Sequence, residues 1–251
     1  LRLSAAGWHD AAYSGRNNND SPFTNNSASV AYNEFAPGTK AIHRNKLELL
    51  DALVFGKAEV GGMLLTGRLG RHTLLYGESL FFGGNGIAAA QAPLDIVKLL
   101  SVPNTQFKEM MRPVPQASAQ LQINSNLSVG GYYQFQWERD RVPAAGSYFS
   151  GVDILDDGGE RFLLGPGLAL ARRADRDARD SGQWGLQARY RPEGRDVEFG
   201  AYAVRYHSKS PVVWLDMPAG QYSMLYHEGI RSVGLSASTT VGDVNVGAEL
   251  S

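Results

Sequence analysis

Alternation is the dominant order in this chain. Over 128–138 one set of alternate positions reads Val129, Gly131, Tyr133, Phe135, Trp137; the other reads Ser128, Gly130, Tyr132, Gln134, Gln136, Glu138. Period two places the two sets on opposite faces of a strand. Over 116–123 the faces are Ala117, Ala119, Leu121, Ile123 against Gln116, Ser118, Gln120, Gln122. Near Trp184 they are Trp184, Leu186, Ala188, Tyr190 against Gln183, Gly185, Gln187, Arg189, Arg191. Similar splits follow Gly229 (Val233, Leu235, Ala237 against Ser232, Gly234, Ser236, Ser238) and close the chain (Val244, Val246, Ala248, Leu250 against Asn245, Gly247, Glu249).

These segments predict hairpins. Strand 116–123 turns at 124–126 into 127–140, 183–190 turns at 192–194 into 196–206, and 230–239 turns at 242–243 into the last strand. A fourth hairpin runs from 49–60 through Gly61-Gly62 to 63–75. The turns are short and carry Asn, Gly, Asp or Pro, as tight hairpins require. The links between hairpins, 17–46, 141–181 and 209–228, are long. Short turns at one end and long loops at the other predict an all-β fold, an antiparallel transmembrane barrel of which about nine strands lie in this sequence. Aromatic residues toward the long-loop end (Tyr133, Phe135, Trp137, Trp184) suit an interfacial girdle. A half-buried soluble sheet shares the alternation, so the loop asymmetry and the aromatics carry the distinction.

One stretch departs from period two. Residues 77–115 have glycine-rich flanks, a short helical signal at 93–100 with Pro93 at its first turn, and another at 106–111. Within a single β-barrel domain over 1–251, 77–115 reads as an irregular, partly helical segment that either folds inward as a plug or caps the surface.

Composition narrows the classes. The 251 residues carry 24 Lys+Arg against 25 Asp+Glu, which gives no electrostatic case for nucleic acid. There is no cysteine, hence no disulfide framework and no Cys-based zinc site. No apolar run reaches the length of a membrane helix, which leaves a β-barrel open. The five histidines (His9, His43, His72, His207, His227) show no metal-ligand spacing. No Gly-x-Ser-x-Gly elbow is present, and 83–86 lacks the Gly-Lys-Ser/Thr ending of a phosphate loop. No cofactor is expected. The chain begins at Leu1 without Met and stops inside a strand pattern, which predicts an interior piece of a longer precursor.

Several motifs come in a specific order: Arg68-Leu69-Gly70-Arg71, Gly77-Glu78-Ser79, 95–99 (DIVKL), 103–109 (PNTQFKE), Pro113-Val114-Pro115, 133–138 (YQFQWE) and 146–150 (GSYFS). Together they resemble the DUF1302 family of proteobacterial proteins, from about Leu3 to Glu249. The resemblance implies a longer parent protein in the Gram-negative outer membrane. It also implies a periplasmic lipoprotein-like partner and an RND-type exporter, and movement of a hydrophobic compound or lipid across the envelope. It implies no catalytic residues.

Two groups of side chains are candidates for a lumen. Arg68, Arg71, Glu78, Lys98, Lys108, Glu109 and Arg112 surround the irregular segment. They read either as charges that gate a solute or as salt bridges that pin the segment to the wall; both readings place them inside, since charge facing lipid is costly. Gln134, Gln136, Glu138, Gln187, Arg189 and Arg191 project from neighbouring strands as a polar path or as ordinary lumen filling. Arg205 and His207 continue the apolar face of 197–201; either the register slips at a bulge or, the preferred reading, they lie beyond the bilayer in the loop region. The acidic run 153–160 matches no EF-hand spacing. The alternating run 172–180 is a solvated loop or a contact for lipopolysaccharide phosphates. The expected function is a channel or envelope-transport component for a hydrophobic or amphipathic small molecule or lipid, not an enzyme. The rivals are a closed surface-binding barrel and an outer-membrane lipid hydrolase using His207 or His227 as base.

Overall fold

The computed structural model describes residues 1–78 and 86–251. Its main body is a nine-stranded sheet of β1 (Arg2–His9), β2 (Asn45–Val60), β3 (Met63–His72), β4 (Val114–Gln122), β5 (Leu127–Gln134), β8 (Gln183–Tyr190), β9 (Val197–Tyr206), β12 (Ile230–Val241) and β13 (Val244–Leu250). These strands lie side by side in chain order, and every neighbouring pair is antiparallel. Among the described residues β1 and β13 form the two edges. The fold is all-β and antiparallel, as the alternation predicts.

The four predicted hairpins are β2–β3, β4–β5, β8–β9 and β12–β13. Gly61 and Gly62 both adopt positive φ in the first turn, which explains why two glycines stand there. β1 has no counterpart among the predicted strands; it pairs with β2 across a bulge between Leu3 and Ala5. Strand β5 ends at Gln134 rather than running on to Asp140. The Phe135 N–H still donates to Pro115 O (2.9 Å), but the facing strand begins at Val114, behind Pro113 and Pro115, which cannot donate.

Two of the long links are folded rather than loose. They hold β6 (Arg161–Gly165), β7 (Leu168–Arg172), β10 (Val212–Asp216) and β11 (Gln221–Leu225), which form a second sheet in the order β10-β11-β7-β6. β11 and β7 are parallel, so the sheet joins one link to the other. Its core holds Leu170, Tyr222, Met224, Tyr226 and Trp137. Trp137 is therefore part of a loop core, 8% exposed, and not a member of an outer aromatic row. The third link contains α1 (Pro37–His43), begun by Pro37.

The irregular segment has two short helices, α2 (Ile96–Ser101) and α3 (Phe107–Met110). Pro93 does not start α2. Asp95 caps it, accepting from Lys98 N at 2.9 Å, because Leu94 is held extended in a bridge to Met111. Gln106 and Glu109 form a capping box on α3.

Candidate lumen site

Strand register divides the large sheet into two chemically distinct faces. Val54, Leu69, Ala117, Tyr133 and Trp184 lie on one face toward the long-loop end. Leu121, Val129, Ala188, Ala201 and Leu235 lie on the same face nearer the short turns. Many are exposed: Leu186 by 56%, Leu235 by 62%, Val233 by 73%. We call this face outward. The inward face carries Gln116, Ser118, Gln120, Ser128, Tyr132, Gln134, Gln183, Gln187, Tyr202, Ser236 and Glu249.

The part of the irregular segment on either side of 79–85 lies against the inward face. Tyr76, Ile87 and Ala90 share a cluster with Tyr132, Tyr202 and Val204. Gly234 in β12 makes room for Ile87, whose Cγ1 would lie 2.7 Å from a Cβ there. Glu249 accepts from the backbone N–H groups of Glu78 (2.9 Å) and Ile87 (3.0 Å). Gln91 accepts from Tyr76 N at 2.5 Å, and its carbonyl receives the amide of Gln134. Residues 76–78 and 86–92 thus pack against this face of the sheet, while α2 and α3 sit at the long-loop end.

The predicted charges separate into groups. Arg71 and Arg112 share Glu138, at 2.6 and 3.1 Å. Arg189 pairs with Glu198, with Glu78 further off at 3.7 Å. Arg191 reaches Glu198 only at 3.8 Å. Gln134 is buried at the segment and Gln187 is half-buried on the inward face. Lys98 donates to Glu109 O at 3.0 Å and Glu109 serves its cap, so both work locally. Arg68 is exposed on the inward side of β3, Lys108 is exposed on α3, and Gln136 is exposed past the end of β5. Those three do not join the others.

Arg141 is the strongest organiser, and sequence reasoning missed it. It is 5% exposed and binds Asp95 at 2.7 Å and Glu48, with Trp8 stacked 5.6 Å away. It thus ties β2, the α2 cap and the link after β5 into one buried cluster. Despite burial, Glu48 and Asp95 hold its guanidinium above the ordinary arginine range. Burial lowers the His43 pKa nearby, and its Nε2 accepts from Ala144 N at 3.1 Å. Lys209 was also missed. Its ammonium is buried, donates to Ala90 O at 3.1 Å, and lies over the Tyr206 ring at 5.6 Å. Burial pushes its pKa down to about 8, with Asp140 opposing.

The other expectations resolve within the loop sheet. Arg139 gathers Asp156, Asp157 and Asp175, while Glu160 accepts from Ala28 N and Ser29 N, so most of the acidic run serves internal donors. The 172–180 run is mostly exposed, with only Ala178 buried, yet it is tied to its surroundings: Arg172 binds Asp175, Arg176 stacks on Trp214 and Asp180 accepts from Trp137 N. Among the described residues no group of acidic and His side chains could hold a metal. His207 is buried just after β9; its Nδ1 accepts from Gly229 N and its Nε2 faces Ser181 O, so both ring nitrogens are occupied by backbone. Arg205 sits inside β9, on the outward face, opposite Trp184 and Arg231, and not in the loop region.

No curated protein and no solved structure matches the chain. A family model described as "Protein of unknown function (DUF1302)" matches residues 1–251, the whole sequence, and the chain belongs to that family.

Proposed function

We propose that this chain forms part of an outer-membrane β-barrel in a Gram-negative bacterium and supplies a channel or envelope-transport path for a hydrophobic or amphipathic small molecule or lipid. The inverted polarity of the nine-stranded sheet carries the reading. Val54, Leu69, Leu186, Val233, Leu235 and Leu250 are each more than half exposed on one face. Soluble monomers rarely leave a contiguous apolar patch beyond a few hundred Å². Bilayer hydrocarbon is the solvent such a face fits, and a polar inward face then follows.

Aromatic placement agrees. Tyr133, Phe135 and Trp184 mark one end of the apolar band, Tyr190 and Phe199 the other. From Trp184 to Tyr190 a strand advances about 20 Å, close to the height of a barrel's apolar belt. The inward segment would then act as a plug, and the loop sheet would lie outside the bilayer.

Single-channel conductance of the full-length protein in a planar bilayer tests this, before and after removal of 86–111. Current steps that enlarge on removal are the expected result. Silence from both forms would leave a closed, surface-binding barrel, the reading favoured by the anchoring of the segment through Lys209, Gln134 and Glu249.

A further inference from the structure

The outward face carries two charges that no ion pair balances among the described residues. Arg205 in β9 and Arg231 in β12 are direct cross-strand partners. Like charges in that position repel and weaken a sheet. Among the described residues neither guanidinium has an ion-pair partner; Glu228, close by in sequence, is engaged with Arg179 at 3.4 Å. Arg205 Nε is buried without a hydrogen-bond partner. The Arg205 side chain is nevertheless well placed. Gly182 and Gly229, both at positive φ, flank it; a Cβ on either would stand 3.4 Å from Nη1 or 3.6 Å from Nη2.

Directly along the strand lies an apolar trough of about 610 Å³. Small residues Ala119, Gly131 and Ala203 form its floor between Leu65, Leu121 and Leu186. Ala203 precedes Arg205 by one outward step, about 7 Å. Trp184 stands beside Arg205 on the other neighbouring strand.

We propose that Arg205 and Arg231 form a phosphate site for a phosphorylated glycolipid of the leaflet at the long-loop end, whose acyl chains lie along the trough. The inference rests on the membrane reading. Paired guanidiniums match phosphate geometry and charge. An arginine facing lipid costs several kcal/mol at the midplane but little near the interface, which is where the end of β9 places this pair. The bound anion removes the cross-strand repulsion, and the apolar trough selects a lipid over a free ion.

Native mass spectrometry of the full-length protein in detergent, titrated with bisphosphorylated lipid A, its dephosphorylated form or inorganic phosphate, tests the site. Bisphosphorylated lipid A should bind about tenfold or more tighter than the dephosphorylated form. Arg205→Gln with Arg231→Gln should lose about the same factor. Arg205→Lys with Arg231→Lys should keep part of it, and Arg195→Gln, in an exposed turn at the other end, should change nothing. Equal binding to the intact protein and the double Gln variant overturns the site, and so does inorganic phosphate binding as tightly as the lipid. Flotation of the same proteins with phosphatidylcholine vesicles keeps the two readings apart. Insertion with equal glycolipid binding refutes the site alone; failure of the intact protein to insert refutes the membrane reading and the site together.

Discussion

Arg141→Ala removes the cation at the centre of the best-buried charge cluster. It leaves Glu48 and Asp95, 16% and 9% exposed at their side chains, without their direct ion-pair partner, with Arg112 the nearest remaining arginine acting on both. It also removes the cation beside Trp8, 5.6 Å from the ring centre. Breaking a buried pair by deleting one partner costs about 3–5 kcal/mol, because the stranded charge keeps its desolvation penalty. Two stranded carboxylates place this variant at the upper end of that range. Urea unfolding in detergent, followed by tryptophan fluorescence, measures the loss, and Trp8 reports from beside the cluster. A triple variant, Glu48→Gln, Asp95→Asn and Arg141→Met, keeps the volume and removes every charge. It should recover most of the stability, since neutral replacements of buried ion pairs are often tolerated. A cost below about 1 kcal/mol for Arg141→Ala, the level of an exposed pair, would refute the reasoning. So would a triple variant no more stable than Arg141→Ala.

Lys209 gives a pH signature. Its pKa falls from 10.5 to about 8 on folding, so between those values the unfolded chain binds the extra proton and stability rises with pH. Below pH 8 the full penalty, on the order of 3 kcal/mol, is present. Urea midpoints at pH 7 and pH 10 should therefore differ for the intact protein and converge for Lys209→Met; an unchanged difference in the variant would remove Lys209 from the account. Brominated lipid should quench Trp184, 36% exposed on the outward face, and leave Trp137, 8% exposed in the loop core. Single-tryptophan variants in vesicles measure this, and strong quenching of Trp137 would reverse the assignment.

The sequence made the hairpins legible where period two met a short turn. Strands predicted at 183–190 and 196–206 are found at Gln183–Tyr190 and Val197–Tyr206. The loop sheet was not legible. Its strands are five residues each, too short for alternation to register, and the parallel β7–β11 contact joins two links far apart in the chain. Trp137 misled because alternation continues to Glu138 although the strand loses its partner behind Pro113 and Pro115. Arg71 and Arg112 were grouped around the irregular segment and Glu138 with the strand amides; the structure brings the three together, a link that the two separate groupings did not show. Arg141 was not: its partners Glu48 and Asp95 stand 93 and 46 residues away, and neither a motif nor a period connects them.

The amides of the inward face are unevenly paired. Gln116 donates to His72 O, Gln134 donates to Gln91 O, and Gln183 accepts from His207 N. Each is almost wholly buried, and each keeps its opposite end without a protein partner: Oε1 of Gln116, Oε1 of Gln134, Nε2 of Gln183. The Tyr132 hydroxyl shares that condition. A face built for stability alone would carry Leu or Val at these positions, because a buried polar end left unpaired costs about 1–3 kcal/mol. Gln116 and Gln183 are paired at one end to residues at the strand ends, Gln134 to Gln91 of the irregular segment, so these positions are polar by composition and not a dry apolar core. The 86–92 stretch supplies one of those partners, Gln91 O, which accepts from Gln134. On the membrane reading proposed above, an inward face of buried amides and phenols is what accompanies an outward face of exposed Leu and Val.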